Sequence, residues 1–228
     1  MLETLASGFG ESLNKVVFIG GATLSLYITD RSAPECHPSG EVDGIVGVST
    51  MLEFQQFLQT IERKGFKRMK MERQGAEEWM YENIRVRLMP MNTEKLGYTN
   101  RWYEEGVFHA RTYRLPGGSP IRIFLPAYFV ASKIDAFINR GKNNLRLSED
   151  FQDLVYILDN RQEILNDIHQ AFYEVRAYIQ QQFVRFLSHP GLEEGIAYAL
   201  PDSFDEENIY RIKTLIRQIA FPAVAVGA

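Results

Sequence analysis

The sequence predicts an α+β protein: a mixed-sheet α/β domain over residues 1–125, followed by an all-helical domain over residues 126–228. Three observations carry that prediction. Up to Leu125, short apolar runs of strand length are punctuated by glycine and proline turn signals. From Pro126 onward, apolar residues recur at three- and four-residue spacing in successive capped segments. The 228 residues are 45% hydrophobic and 24% charged, enough apolar mass for one large core or two small ones, which excludes a disordered chain.

Each element follows from its residues. Lys15-Val-Val-Phe-Ile19 reads as a buried strand, and Gly20-Gly21 turns it into a helix over Ala22–Ile28. Asp30, Ser32, Pro34, Pro38, Ser39 and Gly40 mark a loop. Glu41–Val48 reads as a strand with Val42, Val46 and Val48 on one face. Thr50 and Glu53 form a capping box for a helix whose apolar positions are Phe54, Phe57, Leu58 and Ile61, with Gly65 as its stop. Strands follow at Glu78–Tyr81 and Ile84–Met89. Arg111–Leu115 and Ile121–Leu125 flank Pro116-Gly-Gly-Ser-Pro120 as a hairpin. In the second half, Pro126 opens a helix with a stripe of Val130, Ile134, Phe137 and Ile138 that ends near Gly141. Ser148 caps a helix carrying Phe151, Leu154, Val155 and Leu158. Helical segments continue over Gln162–Leu187, with a packing stripe of Phe172, Val175, Ile179, Phe183 and Phe186, and over Glu206–Ile219.

Composition narrows the chemistry. Lys plus Arg is 25 and Asp plus Glu is 29, a net charge of −4, which argues against a coating protein for nucleic acid. A single cysteine, Cys36, excludes an internal disulfide framework and a CxxC zinc site, and His37, His109, His169 and His189 are scattered. The N-terminus has no basic segment before an apolar run, so no signal peptide is expected. The longest apolar-leaning stretch, Val16–Ile28, is shorter than the roughly 20 residues a membrane span needs. A cytoplasmic protein with no membrane partner is the expectation.

Two local patterns carry candidate chemistry. A glycine pair between a strand and a helix lets backbone N–H groups approach a phosphate, or simply makes a tight turn. In Glu41-Val-Asp43, strand alternation puts both carboxylates on one face, roughly 6–7 Å apart, where they can share divalent metal or face solvent as a plain edge. Their order, together with Pro126-Ala-Tyr-Phe-Val-Ala-Ser-Lys133 and Ser148-Glu-Asp-Phe-Gln-Asp153, resembles the AbiEii-type nucleotidyltransferases of the polymerase-β-like superfamily, over about residues 15–160.

The resemblance implies a metal-dependent transfer of a nucleoside monophosphate from an NTP to an acceptor hydroxyl on RNA such as a tRNA end, on a protein or on a small molecule. Gly20, Gly21 and Thr23 would hold the nucleotide, Glu41 and Asp43 would bind Mg²⁺ or Mn²⁺, Lys133 would touch the phosphates, and Asp150 would position the acceptor or the lysine. The site would lie in the cleft between the two domains. Some members are toxins, which implies an antitoxin protein as a partner. Two departures stand out: Glu41 where relatives usually carry aspartate, and Arg87 where many nucleotidyltransferases place a third carboxylate. Alternation along Ile84–Met89 puts Arg87 opposite the aliphatic face, and a guanidinium beside Glu41 and Asp43 would compete with a divalent cation for their oxygens. The alternative reading is therefore a catalytically degenerate nucleotide- or RNA-binding module on the same fold. Weaker candidates are the basic stretch Arg63–Arg73, with a local net of +5, Cys36-His37, and His109 with Tyr113.

Overall fold

The computed structural model describes residues 1–36, 39–69, 76–91, 100–140, 144–200 and 205–222. The chain forms two compact units, Met1–Thr23 with His37–Leu125, and Leu24–Cys36 with Pro126–Ala228. The fold is α+β, with a mixed seven-stranded sheet in the first unit and helices in the second.

The first unit opens with helix α1 (Leu2–Phe9), which the sequence reading did not anticipate, and a 3₁₀ turn over Gly10–Lys15. Gly8 interrupts the helical composition for a packing reason: a Cβ there would sit 2.6 Å from the Tyr81 ring. Strand β1 (Val16–Ile19) is buried at every position. The expected helix after the glycine pair is a 3₁₀ helix, Gly21–Tyr27. The Thr23 N–H and hydroxyl both donate to the carbonyl of Gly20, at 3.1 and 2.8 Å, and this three-residue spacing closes the tighter turn.

Strand β2 (Glu41–Val46) is followed by α2 (Met51–Arg63), whose capping box is formed by Thr50 and Glu53. Then come β3 (Lys67–Arg68), β4 (Glu77–Tyr81), β5 (Ile84–Pro90), α3 (Tyr103–Phe108), β6 (Arg111–Arg114) and β7 (Pro120–Ile123). Glu82 and Asn83, with φ of 45° and 66°, make the two-residue turn joining β4 to β5.

The strand order is β3-β4-β5-β2-β1-β7-β6. The β1–β7 and β2–β5 pairs are parallel, and the others are antiparallel. On one face, Phe18 meets Phe9 of α1, which stacks in turn on Phe57 and Phe66. On the other face, Arg122 donates to the carbonyl of Val107 in α3 at 2.9 Å. One row of paired residues runs Ile19–Asp43–Arg87–Glu78 across β1, β2, β5 and β4, and directly paired residues project to the same face.

The second unit contains α4 (Pro126–Arg140), α5 (Glu149–Asn160), α6 (Ile164–His169), α7 (Tyr173–Leu187), α8 (Leu192–Ala199) and α9 (Glu206–Ala220). Its core includes the rings of Phe137, Phe151, Phe183 and Phe186, with centroids 5.5–6.0 Å apart. The segment Leu24–Cys36 packs here. The N–H groups of Thr29 and Asp30 donate to the carbonyl of Asn160, Arg161 donates to the Tyr27 carbonyl at 2.6 Å, and the Tyr27 ring lies 4.6 Å from Phe129.

The expected Gln162–Leu187 helix is two helices. Phe172 adopts an extended backbone, and Arg176 donates to the His169 carbonyl where α6 ends. Helix α8 was missed. Its Gly195 lies against Leu145, whose Cβ would stand 2.7 Å from any Cβ at that position. Ile138 and Phe172, expected to be inward, are exposed, and the expected stop at Gly141 lies outside the described residues. Among the described residues, no helix is long and apolar enough to cross a membrane.

Candidate functional site

The first-unit candidate is built where β1 ends beside β2. Gly20 has φ of 76°, a backbone region that side chains rarely adopt. A Cβ there would stand 2.9 Å from Asp43 Oδ2, so glycine is required for the close approach of the turn to the carboxylate. Gly21 starts the 3₁₀ helix rather than an α-helix, so the turn lacks the long helix dipole expected for it. Thr23 is fully buried, with its hydroxyl engaged by Gly20.

Glu41 and Asp43 alternate with buried Val42 on β2, and both side chains are part-exposed. Arg87 faces them, in the orientation that strand alternation predicts. Its Nε donates to Asp43 Oδ1 at 2.6 Å and its NH2 to Oδ2 at 2.8 Å, the fork geometry that guanidinium and carboxylate share. The same NH2 lies 3.1 Å from Glu41 Oε1. Burial pushes the Arg87 pKa down. The hydrogen bonds and charge of Asp43, then Glu41, then Tyr103, outweigh it and hold the group above its ordinary value. Arg87 therefore stays charged where it sits on the carboxylate pair.

This arrangement does not fit a divalent cation as it stands. Both Asp43 oxygens are committed to the guanidinium, and among the described residues no group of three or more His, Cys, Asp or Glu side chains is assembled to hold a metal. Metal and guanidinium would have to share the same carboxylate oxygens.

A fourth charged residue escaped the sequence reading. Glu78 pairs with Arg87 across β4 and β5, opposite Asp43, and is only 2% exposed. Its Oε2 is buried with no hydrogen-bond partner among the described residues. A buried polar atom left so costs on the order of 1–3 kcal/mol, and more for an ion. Alternation in Glu77–Tyr81 separates Glu78 from Trp79, and the two-residue spacing at Glu82-Asn83 is the hairpin signal that sets Glu78 opposite Arg87.

In the helical unit, Lys133 of α4 is buried between two acids of α5, with Nζ 3.1 Å from Asp150 Oδ1 and 2.5 Å from Asp153 Oδ2. Arg140 reaches Asp150 at 3.0 Å. The sequence pointed to Lys133 and Asp150. Asp153 and Arg140 were readable from helical spacing, since positions three apart share a face of α5 and positions seven apart share a face of α4. Burial lowers the Lys133 pKa, and Asp153 and Asp150 overcome this to raise it. Burial raises the pKa of Asp153, with Lys133 opposing.

The weaker candidates mostly find structural employment. In the basic stretch, Lys64 bonds to the Phe9 carbonyl and Ser12, and Arg68 forks onto Glu77, while Lys70–Arg73 lie outside the described residues. Cys36 is half-buried and borders a depression of about 430 Å³ with Tyr156, whose hydroxyl donates to the Pro34 carbonyl, and His37 lies outside the described residues. Tyr113 stays on edge strand β6, and His109 lies edge-on to Phe108.

Fold and site together define an α+β protein with a mixed sheet that carries a carboxylate pair clasped by arginine next to a glycine turn. Compared with known proteins, the chain matches no family model and no curated protein sequence.

Proposed function

We propose that the chain is a nucleotide- or RNA-binding module on a polymerase-β-like nucleotidyltransferase fold, in which a resident guanidinium replaces the charge of a divalent cation. The observation that carries this reading is the two-pronged bond of Arg87 to Asp43 with its 3.1 Å approach to Glu41. A fixed cation neutralises half of the pair's charge without metal, because arginine stays protonated. Nucleotide as the ligand is supported by the AbiEii-type order of Gly20-Gly21, Thr23, Glu41 and Asp43, and by the tight juxtaposition of Gly20 with Asp43.

A second reading is favoured by the survival of both acids, part-exposed beside that turn. It is nucleotidyl transfer from an NTP to an acceptor hydroxyl of RNA or tRNA, a protein or a small molecule, in the manner of a toxin held by an antitoxin. It requires Arg87 to leave the pair before Mg²⁺ or Mn²⁺ is held there. Titration of each NTP in chelator and in Mg²⁺ separates the two. The binding module retains its affinity without metal, whereas the enzyme needs the metal and labels RNA or protein when given radioactive NTP.

A further inference from the structure

We propose that Glu78 is a second seat for the Arg87 guanidinium, which lets the clasp on Asp43 and Glu41 open without stranding a buried cation. Arg87 stands between Asp43 on β2 and Glu78 on β4 in a single row of paired residues. Cross-strand neighbours bring their Cβ atoms within about 4.5–5.5 Å, so one rotamer change of a long arginine side chain spans from one acid to the other. In the arrangement seen, all of the guanidinium's described acidic contacts are on the Asp43 side, while Glu78 Oε2 is buried and has no partner among the described residues.

Buried polar atoms are almost always satisfied, so the exception at a charged row calls for an explanation, and a second seat for Arg87 supplies one. The side chains that bear on Arg87 are Asp43, Glu41 and Tyr103, with Glu78 as its opposite neighbour and Arg85 paired with Glu41 two residues along. Transfer to Glu78 exchanges the ion pairs with Asp43 and Glu41 for one with Glu78, and the total number of charges is unchanged. It frees the Asp43 oxygens to accept from donors of a ligand, which is the step that distinguishes the two readings of the site.

This inference concerns the regulation of the proposed site but does not rest on nucleotide being its ligand. The NTP titration tests ligand identity separately. The direct probe is the Arg87 Nε–Hε resonance of the whole protein, followed by relaxation dispersion. In the native protein, exchange between two ion pairs broadens this line. Glu78→Gln removes the second charged seat, so the exchange contribution disappears and the Asp43-bound position remains. Asp43→Asn shifts the resonance to a new position that is still protected from solvent, and Asp43→Asn with Glu78→Gln loses that protection. Absence of exchange in the native protein, or exchange unaltered by Glu78→Gln, overturns the proposal. So does an Arg87 signal in Asp43→Asn that is equally protected with and without Glu78. Glu78→Gln alone keeps the proposal falsifiable if Asp43→Asn does not fold.

Discussion

Arg87→Met would leave Asp43 and Glu41 facing each other with no cation between them. Exposed ion pairs contribute about 0–1 kcal/mol, while breaking a fully buried pair costs about 3–5 kcal/mol. With an Arg87 side chain 11% exposed and acids more open than that, a loss of roughly 2 kcal/mol in urea unfolding is expected. A loss indistinguishable from zero would mean the clasp is a solvated contact. Gly20→Ala tests the turn, because a residue with a Cβ in the left-handed region costs about 1–2 kcal/mol, and here that Cβ also presses on Asp43. Arg87 was legible because strand alternation separates it from Val86 and Leu88. The two-residue turn at Glu82-Asn83 sets Glu78 opposite Arg87, but that β2 with its acids lies on the other side of β5 is supplied only by the sheet order.

At the scale of elements, local signals were read well and long-range ones poorly. The Thr50–Glu53 box starts α2 where the sequence placed it, because both its hydrogen bonds lie within four residues. Thr50→Ala is expected to cost about 1 kcal/mol of stability, measured by thermal or urea unfolding, and no change would deny the cap its role. The break between α6 and α7 was invisible because the apolar period runs through it, and Arg176 with His169 makes the stop.

The ion cluster on α4 and α5 makes a prediction about pH. Asp153 has its pKa raised, first by burial. A carboxyl whose folded pKa exceeds its unfolded value stabilises the fold fully below that unfolded value, 3.8, and loses the contribution as pH rises through the folded value. Asp153→Asn cannot ionise, so its stability relative to the native protein should be greater at about pH 7 than at about pH 3. Denaturant unfolding at both pH values checks this, and an equal or smaller difference at neutral pH would contradict it.

For the whole molecule, the composition change at Pro126 was visible, since proline at a helix start and the onset of helical spacing are local features. The assignment of Leu24–Cys36 to the helical unit was not. It depends on the carbonyls of Asn160 and Tyr27 finding partners more than a hundred residues away in sequence. The central proposal concerns charge: the guanidinium seated on Glu41 and Asp43 is proposed to make ligand binding independent of divalent metal. The most direct measurement is calorimetric titration of the native protein with each NTP, once in chelator and once in excess Mg²⁺. The expected result is at least one NTP bound with the same affinity in both conditions. Affinity that appears only with Mg²⁺, or no NTP bound in either, would contradict it.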